Sequence, residues 1–357
     1  MNPPRLLLID GSGFIFRAYH KLPPLTRADG TPTNAVYGFT TMLLKLREQM
    51  LFTHAVVVFD AKGGNFRHDM YPAYKANRAA PPEDLIPQFP LVRKAATAMN
   101  LPIIEQTGME ADDIIATHVR QAREVGMEVC IVSSDKDLMQ MIGGGVSMFD
   151  PMKNVTLTEA DVLAKFGVTP DKVVEVQSLM GDSSDNIPGV PSIGAKTAAE
   201  LILRYDTLEN LLSHTHEITQ PKRREVLETY REQALLSKRL VTLREDCEGL
   251  PTLESYVMRP VDAEQLAAFC LEQGFKSLVG RIRKTGNARQ ESGIGNVLHQ
   301  TTASPKEISQ FPISNFHTPT YTLIQSLPDL TALVRRINAA GMVAFDLETT
   351  SLDATQA

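Results

Sequence analysis

The stretch "RLLLID", residues 5–10, is a continuous aliphatic run that ends on an acid. Two later segments repeat the form: "HAVVVFD" ends at Asp60, and "MEVCIVSSD" ends at Asp135 with Asp137 two positions on. Short runs of this kind without alternation fit strands buried on both faces. Between them, residues 35–50 and 111–123 carry apolar positions at three- and four-residue spacing, which predicts helices. Strands alternating with helices imply an α/β fold with a parallel sheet. In such sheets the functional crevice lies outside the carboxyl ends of the strands, where Asp10, Asp60, Asp135 and Asp137 would converge.

The rest of the chain departs from this rhythm. Residues 71–90, "YPAYKANRAAPPEDLIPQFP", hold five prolines and the basic pair Lys75 and Arg78, in a connection longer than a crossover needs. The strand signal fades from about residue 170, and residues 171–285 read as short helices and turns, a second, mostly α subdomain after an N-terminal domain of residues 1–170. Residues 286–318 are polar with scattered Gly and Pro and read as a linker. Residues 319–357 begin a new strand–helix–strand pattern and then stop, a truncated segment.

Composition sets limits on partners and compartment. The 357 residues are 43% hydrophobic, enough to fill a core, and no window reaches membrane-spanning length. A cytoplasmic protein that binds no membrane is expected, acting as a monomer. Cys130, Cys247 and Cys270 lie far apart with no CxxC, so no disulfide framework or zinc knuckle is suggested. His214 and His216 form an HxH in a polar stretch, which fits a solvated loop better than a metal site.

The acids carry the chemistry. "GMEADD" places Glu110, Asp112 and Asp113 within four positions, and "MGDSSDNIPGV" adds Asp182 and Asp185 at helical spacing. The first trio also fits a helix start, where carboxylates favour the positive end of the dipole. With the strand-end acids the set reaches nine, and removing nine charges from the net −6 leaves the remainder of the chain at +3. So many carboxylates in one pocket must protonate or bind cations, and oxygen donors without Cys or His select Mg²⁺ or Mn²⁺. That chemistry suits phosphoryl transfer with a metal-activated water. "GVPSIGAKTA", residues 189–198, supplies a matching handle: Gly189 and Gly194 permit a tight turn into a helix N-terminus that can face a phosphate, with Lys196 nearby. A helix–turn–helix packing element would use the same glycines.

"FDAKGGNFRHDMYPAYKANR", "GMEADD", "SSDKDLMQ" and "MGDSSDNIPGVPSIGAKTA" together resemble the 5′ nuclease domain of bacterial DNA polymerases of the flap endonuclease family, over roughly residues 5–285. The resemblance implies a PIN-like nuclease domain with a helical arch, and a helix–hairpin–helix that grips duplex DNA, often around K⁺. It implies that Asp10, Asp60, Glu110, Asp112, Asp135 and Asp137 hold the inner metal, with Asp113, Asp182 and Asp185 completing the acidic set partly through water. Asp10, Asp112, Lys75 and Arg78 then read as catalytic residues, and Tyr74, Lys75, Arg78, Gly189, Gly194 and Lys196 as DNA contacts. "SSDKD" departs from the more usual Thr or Gly before its first aspartate. The implied activity is Mg²⁺-dependent 5′–3′ exonuclease and flap endonuclease cleavage of DNA flaps, nicks and primer ends, RNA primers included. "FDLETTSLD" is similar to the first motif of a 3′–5′ proofreading domain, with Asp346 and Glu348 on one strand face, but the chain stops too soon for proofreading or polymerase activity to be expected. A PIN-type RNase would share the strand-end acids without the basic connection and hairpin. A non-catalytic helix–hairpin–helix module would keep the hairpin and could dispense with the acids.

Overall fold

The computed structural model describes residues 4–282. Its sheet has the order β3-β2-β1-β4-β5-β6, formed by Arg5–Asp10 (β1), His54–Val58 (β2), Ile103–Ile104 (β3), Glu128–Val132 (β4), Val146–Asp150 (β5) and Val155–Leu157 (β6). The first five strands are parallel, and β6 runs antiparallel to β5. The three aliphatic runs are β1, β2 and β4, neighbours at the centre of the sheet. Strand order reverses at β1, so a crevice opens at the carboxyl ends of β1 and β4.

The side-chain period of two divides the core. Leu6 and Leu8 face one side with Val56 and Val58, while Leu7 and Ile9 face the other with Ala55 and Val57. Each fully buried Leu, Ile or Val side chain among them contributes roughly 1.5–3 kcal/mol relative to exposure. The second face is covered by α1 (Gly11–Lys21), α2 (Asn34–Gln49) and α4 (Gln88–Ala98), with α3 (Phe66–Met70) between them in sequence. The first face receives α5 (Ala111–Glu124) and α6 (Glu159–Phe166).

The helical region continues that first face. It comprises α7 (Val173–Met180), α8 (Ala195–Tyr205), α9 (Leu208–Ser213), α10 (Pro221–Thr229) and α11 (Arg231–Val241). Val176, Leu179, Leu201 and Leu227 belong to the same apolar cluster as Leu6 and Leu8, so the expected boundary at 170/171 does not separate two cores. Then α12 (Ala263–Glu272) and residues Phe275, Leu278 and Ile282 return to the opposite face, against α2 and α4. Of the segment expected to form one helical subdomain over 171–285, the described residues 171–282 therefore serve both sides of the sheet.

The expected arch also differs. Among the described residues, 71–87 run through turns after the five-residue helix α3, because Pro72, Pro81, Pro82 and Pro87 interrupt any longer helix. The linker 286–318 and the segment 319–357, with Asp346 and Glu348, lie outside the described residues. No helix among the described residues is long and apolar enough to cross a membrane. The three cysteines are buried and unpaired, which fits core positions.

Candidate metal centre and nucleic-acid interface

Asp10 ends β1 and caps α1: its Oδ1 accepts from the Gly13 amide at 2.8 Å, and its Oδ2 accepts from Ser133 Oγ at 2.8 Å. A Cβ on Gly13 would stand 2.4 Å from Asp10 Oδ2, so any side chain there would displace the Asp10 carboxylate. Asp60 follows β2, and its Oδ1 accepts from the Ala111 amide at 2.8 Å, in the first turn of α5. Beyond β4, Ser133 Oγ also receives the Asp135 amide at 3.0 Å, and Asp135 Oδ1 receives the Asp137 amide at 3.0 Å. Gln177 of α7 donates to Asp137 Oδ1 at 2.5 Å.

Asp10, Asp60, Asp112 and Asp135 share one electrostatic pocket. Burial pushes Asp10 up to about 6 despite its hydrogen bonds to Gly13 and Ser133, and the negative charges of Asp60 and Asp135 push the same way. Burial also holds Asp112 well above the usual carboxylate range, reinforced by Asp135, Asp10 and Asp60. Asp137 rises to about 7, first through burial and then through Asp135. None of these five carboxylates forms an ion pair within 4.0 Å among the described residues. As placed, no group of three or more His, Cys, Asp or Glu side chains among the described residues stands close enough together to hold a metal ion by itself. Oxygen donors disposed in this way fit a hard divalent cation that keeps part of its water, and the repulsion among buried Asp10, half-buried Asp112, Asp135 and Asp137, and exposed Asp60 gives that cation its reason to bind.

The other acids are occupied by cations of the chain itself. Lys75 Nζ lies 2.5 Å from Glu110 Oε1 and 3.5 Å from Asp185 Oδ2. Arg78 Nη2 reaches Asp185 Oδ1 at 2.5 Å, and Lys136 Nζ reaches Asp182 Oδ2 at 2.5 Å. Burial alone would raise the Asp185 carboxyl, but Lys75 and Arg78 outweigh it and hold the group below its ordinary value. The Lys75 ammonium is likewise held above its ordinary value by Glu110 and Asp185 against the cost of burial.

Three assignments change. Asp113 is fully buried, and both its oxygens are bound by Arg67, Nη1 to Oδ2 at 2.7 Å and Nη2 to Oδ1 at 2.8 Å, so it is removed from the candidate ligands. Tyr74 is 3% exposed, with its hydroxyl 3.0 Å from Glu110 Oε2 and 3.2 Å from Asp185 Oδ2, which leaves no face for DNA. Gly189 is also buried: its amide donates to Ser237 Oγ at 3.2 Å and its carbonyl accepts from Gln233 Nε2 at 2.5 Å, both on α11. Its φ of +59° and the 2.3 Å approach of Gly181 N to the missing Cβ explain the glycine as a packing requirement. Gly194 and Lys196, by contrast, are exposed at the start of α8, where the first amides have no side-chain cap.

Residues 71–78 are docked on the loop 182–187 rather than raised above the crevice. The Lys75 amide donates to the Asp185 carbonyl at 2.9 Å, Asn77 Nδ2 to the Ser183 carbonyl at 2.7 Å, and Asn186 Nδ2 to the Ala73 carbonyl at 2.6 Å. Lys75 adopts a φ of +54°, which a non-glycine residue holds only when its surroundings enforce it. Sequence reasoning missed Arg67, Ser133, Lys136 and Gln177. Lys136 stood between two singled-out acids and could have been found; the others carry no local signal.

Two family profiles cover this architecture: the 5′-3′ exonuclease N-terminal resolvase-like domain matches residues 5–167, and the 5′-3′ exonuclease C-terminal SAM fold matches residues 168–264. A DNA polymerase I of Rhizobium leguminosarum is 40% identical over 99% of this chain and 40% of its own length. A 5′-3′ exonuclease of Aquifex aeolicus is 35% identical over 78% of this chain and 95% of its own. The chain thus spans about two-fifths of that polymerase and 33% of the one from Bacillus caldotenax. Among solved structures, T5 5′-exonuclease with bound zinc superposes with a TM-score of 0.58 at 21% identity, covering 79% of this chain and 97% of that one. The catalytic core of Rad2 in complex with DNA substrate gives 0.55 at 17% identity, covering 78% and 91%. Those two likenesses support the fold, while the profiles and the Aquifex aeolicus relative carry the assignment: this chain belongs to the 5′-3′ exonuclease family.

Proposed function

We propose that the chain is a Mg²⁺-dependent, structure-specific 5′ nuclease that hydrolyses phosphodiesters at DNA 5′ flaps, nicks and primer ends, RNA primers included. The observation that carries this reading is the pocket of mutually repelling carboxylates, Asp10, Asp60, Asp112 and Asp135, at the point where strand order reverses. These four, with Asp137, would hold the divalent ion, Mn²⁺ serving as a substitute. When bound, it supplies a deprotonated water and neutralises charge on the phosphoryl oxygens. No nucleophilic side chain is needed, and in-line attack leaves a 5′-phosphate and a 3′-hydroxyl.

The chain's own residues do the rest. Lys75 and Arg78 would exchange Glu110 and Asp185 for the scissile phosphate and there stabilise the charge that develops. The exposed start of α8, with Gly194 and Lys196, takes a phosphate of the duplex arm. K⁺ at this hairpin and membership of a DNA polymerase I rest on the family resemblance, and action as a cytoplasmic monomer is proposed alongside them. A labelled 5′-flap duplex tests the reading: short 5′-labelled products in Mg²⁺ that disappear in EDTA are expected. Binding without cleavage in either condition would favour the DNA-binding module, and cleavage confined to single-stranded RNA the PIN-type RNase.

A further inference from the structure

Holding like charges together needs a scaffold, and one buried cation is placed to supply it. Arg67 is 1% exposed. A guanidinium has five N–H donors, and five acceptors surround this one. Nε donates to the Leu240 carbonyl at 2.8 Å; Nη1 donates to Asp113 Oδ2 at 2.7 Å and Glu110 Oε2 at 3.1 Å; Nη2 donates to Asp113 Oδ1 at 2.8 Å and the Thr242 carbonyl at 3.1 Å. Asp113 is saturated in turn, since it also accepts the Glu110 amide at 3.2 Å and the Arg244 amide at 2.9 Å.

Three segments meet at this group. Arg67 itself lies on α3, just before the basic loop. Glu110 and Asp113 open α5, whose first turn also carries Asp112. Leu240, Thr242 and Arg244 are the end of α11 and the chain leaving it, and α11 holds Gly189 of the hairpin through Ser237 and Gln233. Lysine, a point charge with three donors, cannot reproduce the planar fork that spans these partners.

We propose that Arg67, acting through Asp113, is a positioning residue for the metal pocket: it sets Glu110 and Asp112 at the start of α5 and ties their placement to the helix on which the hairpin is seated. The inference rests on the metal-dependent reading above. Arg67→Lys keeps the charge and Asp113→Asn keeps the shape, so both variants can fold. Tyr256→Phe is the control, because it breaks a 2.8 Å contact to His118 on the same helix α5, five residues beyond Asp113 and with no hydrogen bond to the acids.

Mn²⁺ binding to the full chain without DNA is measured by calorimetry, starting with the parent, alongside melting temperature and kcat and KM on a flap duplex. Both Arg67→Lys and Asp113→Asn are expected to weaken Mn²⁺ binding tenfold or more and to lower kcat with KM little changed. Tyr256→Phe is expected to lower the melting temperature while keeping the parent's affinity. Parent-like Mn²⁺ affinity in Arg67→Lys, or an equal loss in Tyr256→Phe, would assign Arg67 to general stability and overturn the proposal. A parent chain that takes up no Mn²⁺ overturns the metal reading itself, and the inference with it.

Discussion

Asp112 and Asp113 are adjacent in sequence, yet their carboxyls face opposite conditions. Asp113 lies in a cage of donors centred on Arg67 and closes a capping box with Glu110, whereas Asp112 meets burial and the negative charges of Asp135 and Asp10. The trio that reads either as a helix start or as a metal site is therefore divided between the two roles. Removing Asp112 relieves repulsion and deletes a proposed ligand. Asp112→Ala is expected to lower flap cleavage by about 10²-fold or more while the melting temperature in EDTA holds or rises; retained cleavage with a lower melting temperature would return Asp112 to a helix-capping role. Lys75 differs again, because it is paired with Glu110 and Asp185 and proposed to move to the substrate. Lys75→Ala should reduce turnover by about 10²-fold with little change in flap affinity measured in Ca²⁺, and an equal loss of affinity would make it a binding residue only.

At the scale of elements, the turn between α7 and α8 combines two functions that its glycines do not distinguish in sequence. Gly181 and Gly189 bring two backbone segments into contact, while Gly194 opens the exposed end of α8. Gly189→Ala meets both a left-handed φ and the backbone of Gly181, so it should cost on the order of 1–3 kcal/mol in chemical denaturation. Lys196→Ala should leave stability unchanged, weaken duplex binding, and reduce the slope of log K against log salt by about one unit. An unchanged slope would move the phosphate contact elsewhere on the helical region. The proline-rich connection was legible as an anomaly, but not its docking on residues 182–187, because that depends on hydrogen bonds between segments 106 to 113 positions apart.

For the whole molecule, the raised carboxyls couple stability to pH and to divalent ions. With Asp10 near 6 and Asp137 near 7, the metal-free folded chain retains protons that the unfolded chain releases from about pH 4 upward. These groups therefore make stability fall as pH rises through that window and level off above about 7. Buried His118 acts in the opposite direction, since burial lowers its value and protonation on acidification favours unfolding. The ion-induced shift separates the two, because His118 is present in both arms. Mn²⁺ should raise the melting temperature more at pH 8 than at pH 5, where protons compete for the same oxygens. Equal shifts at both values would mean that the ion binds away from Asp10 and Asp137.

The sequence by itself determined the parallel α/β sheet, the strands β1, β2 and β4, the acids at their ends and the glycine-rich turn, because hydrophobic period, run length and turn chemistry act over a few neighbouring residues. Only the tertiary structure decided which acids remain unpaired and which are neutralised. Arg67 meets Asp113 across 46 positions, Lys75 meets Glu110 across 35, and Lys136 meets Asp182 across 46. It also decided that residues 263–282 cross back to the far face of the sheet, where α2 and α4 leave apolar surface to cover. A carboxylate's role depends on the charges and donors within a few ångströms of it, and in this fold those neighbours come from chain segments that no local pattern brings together.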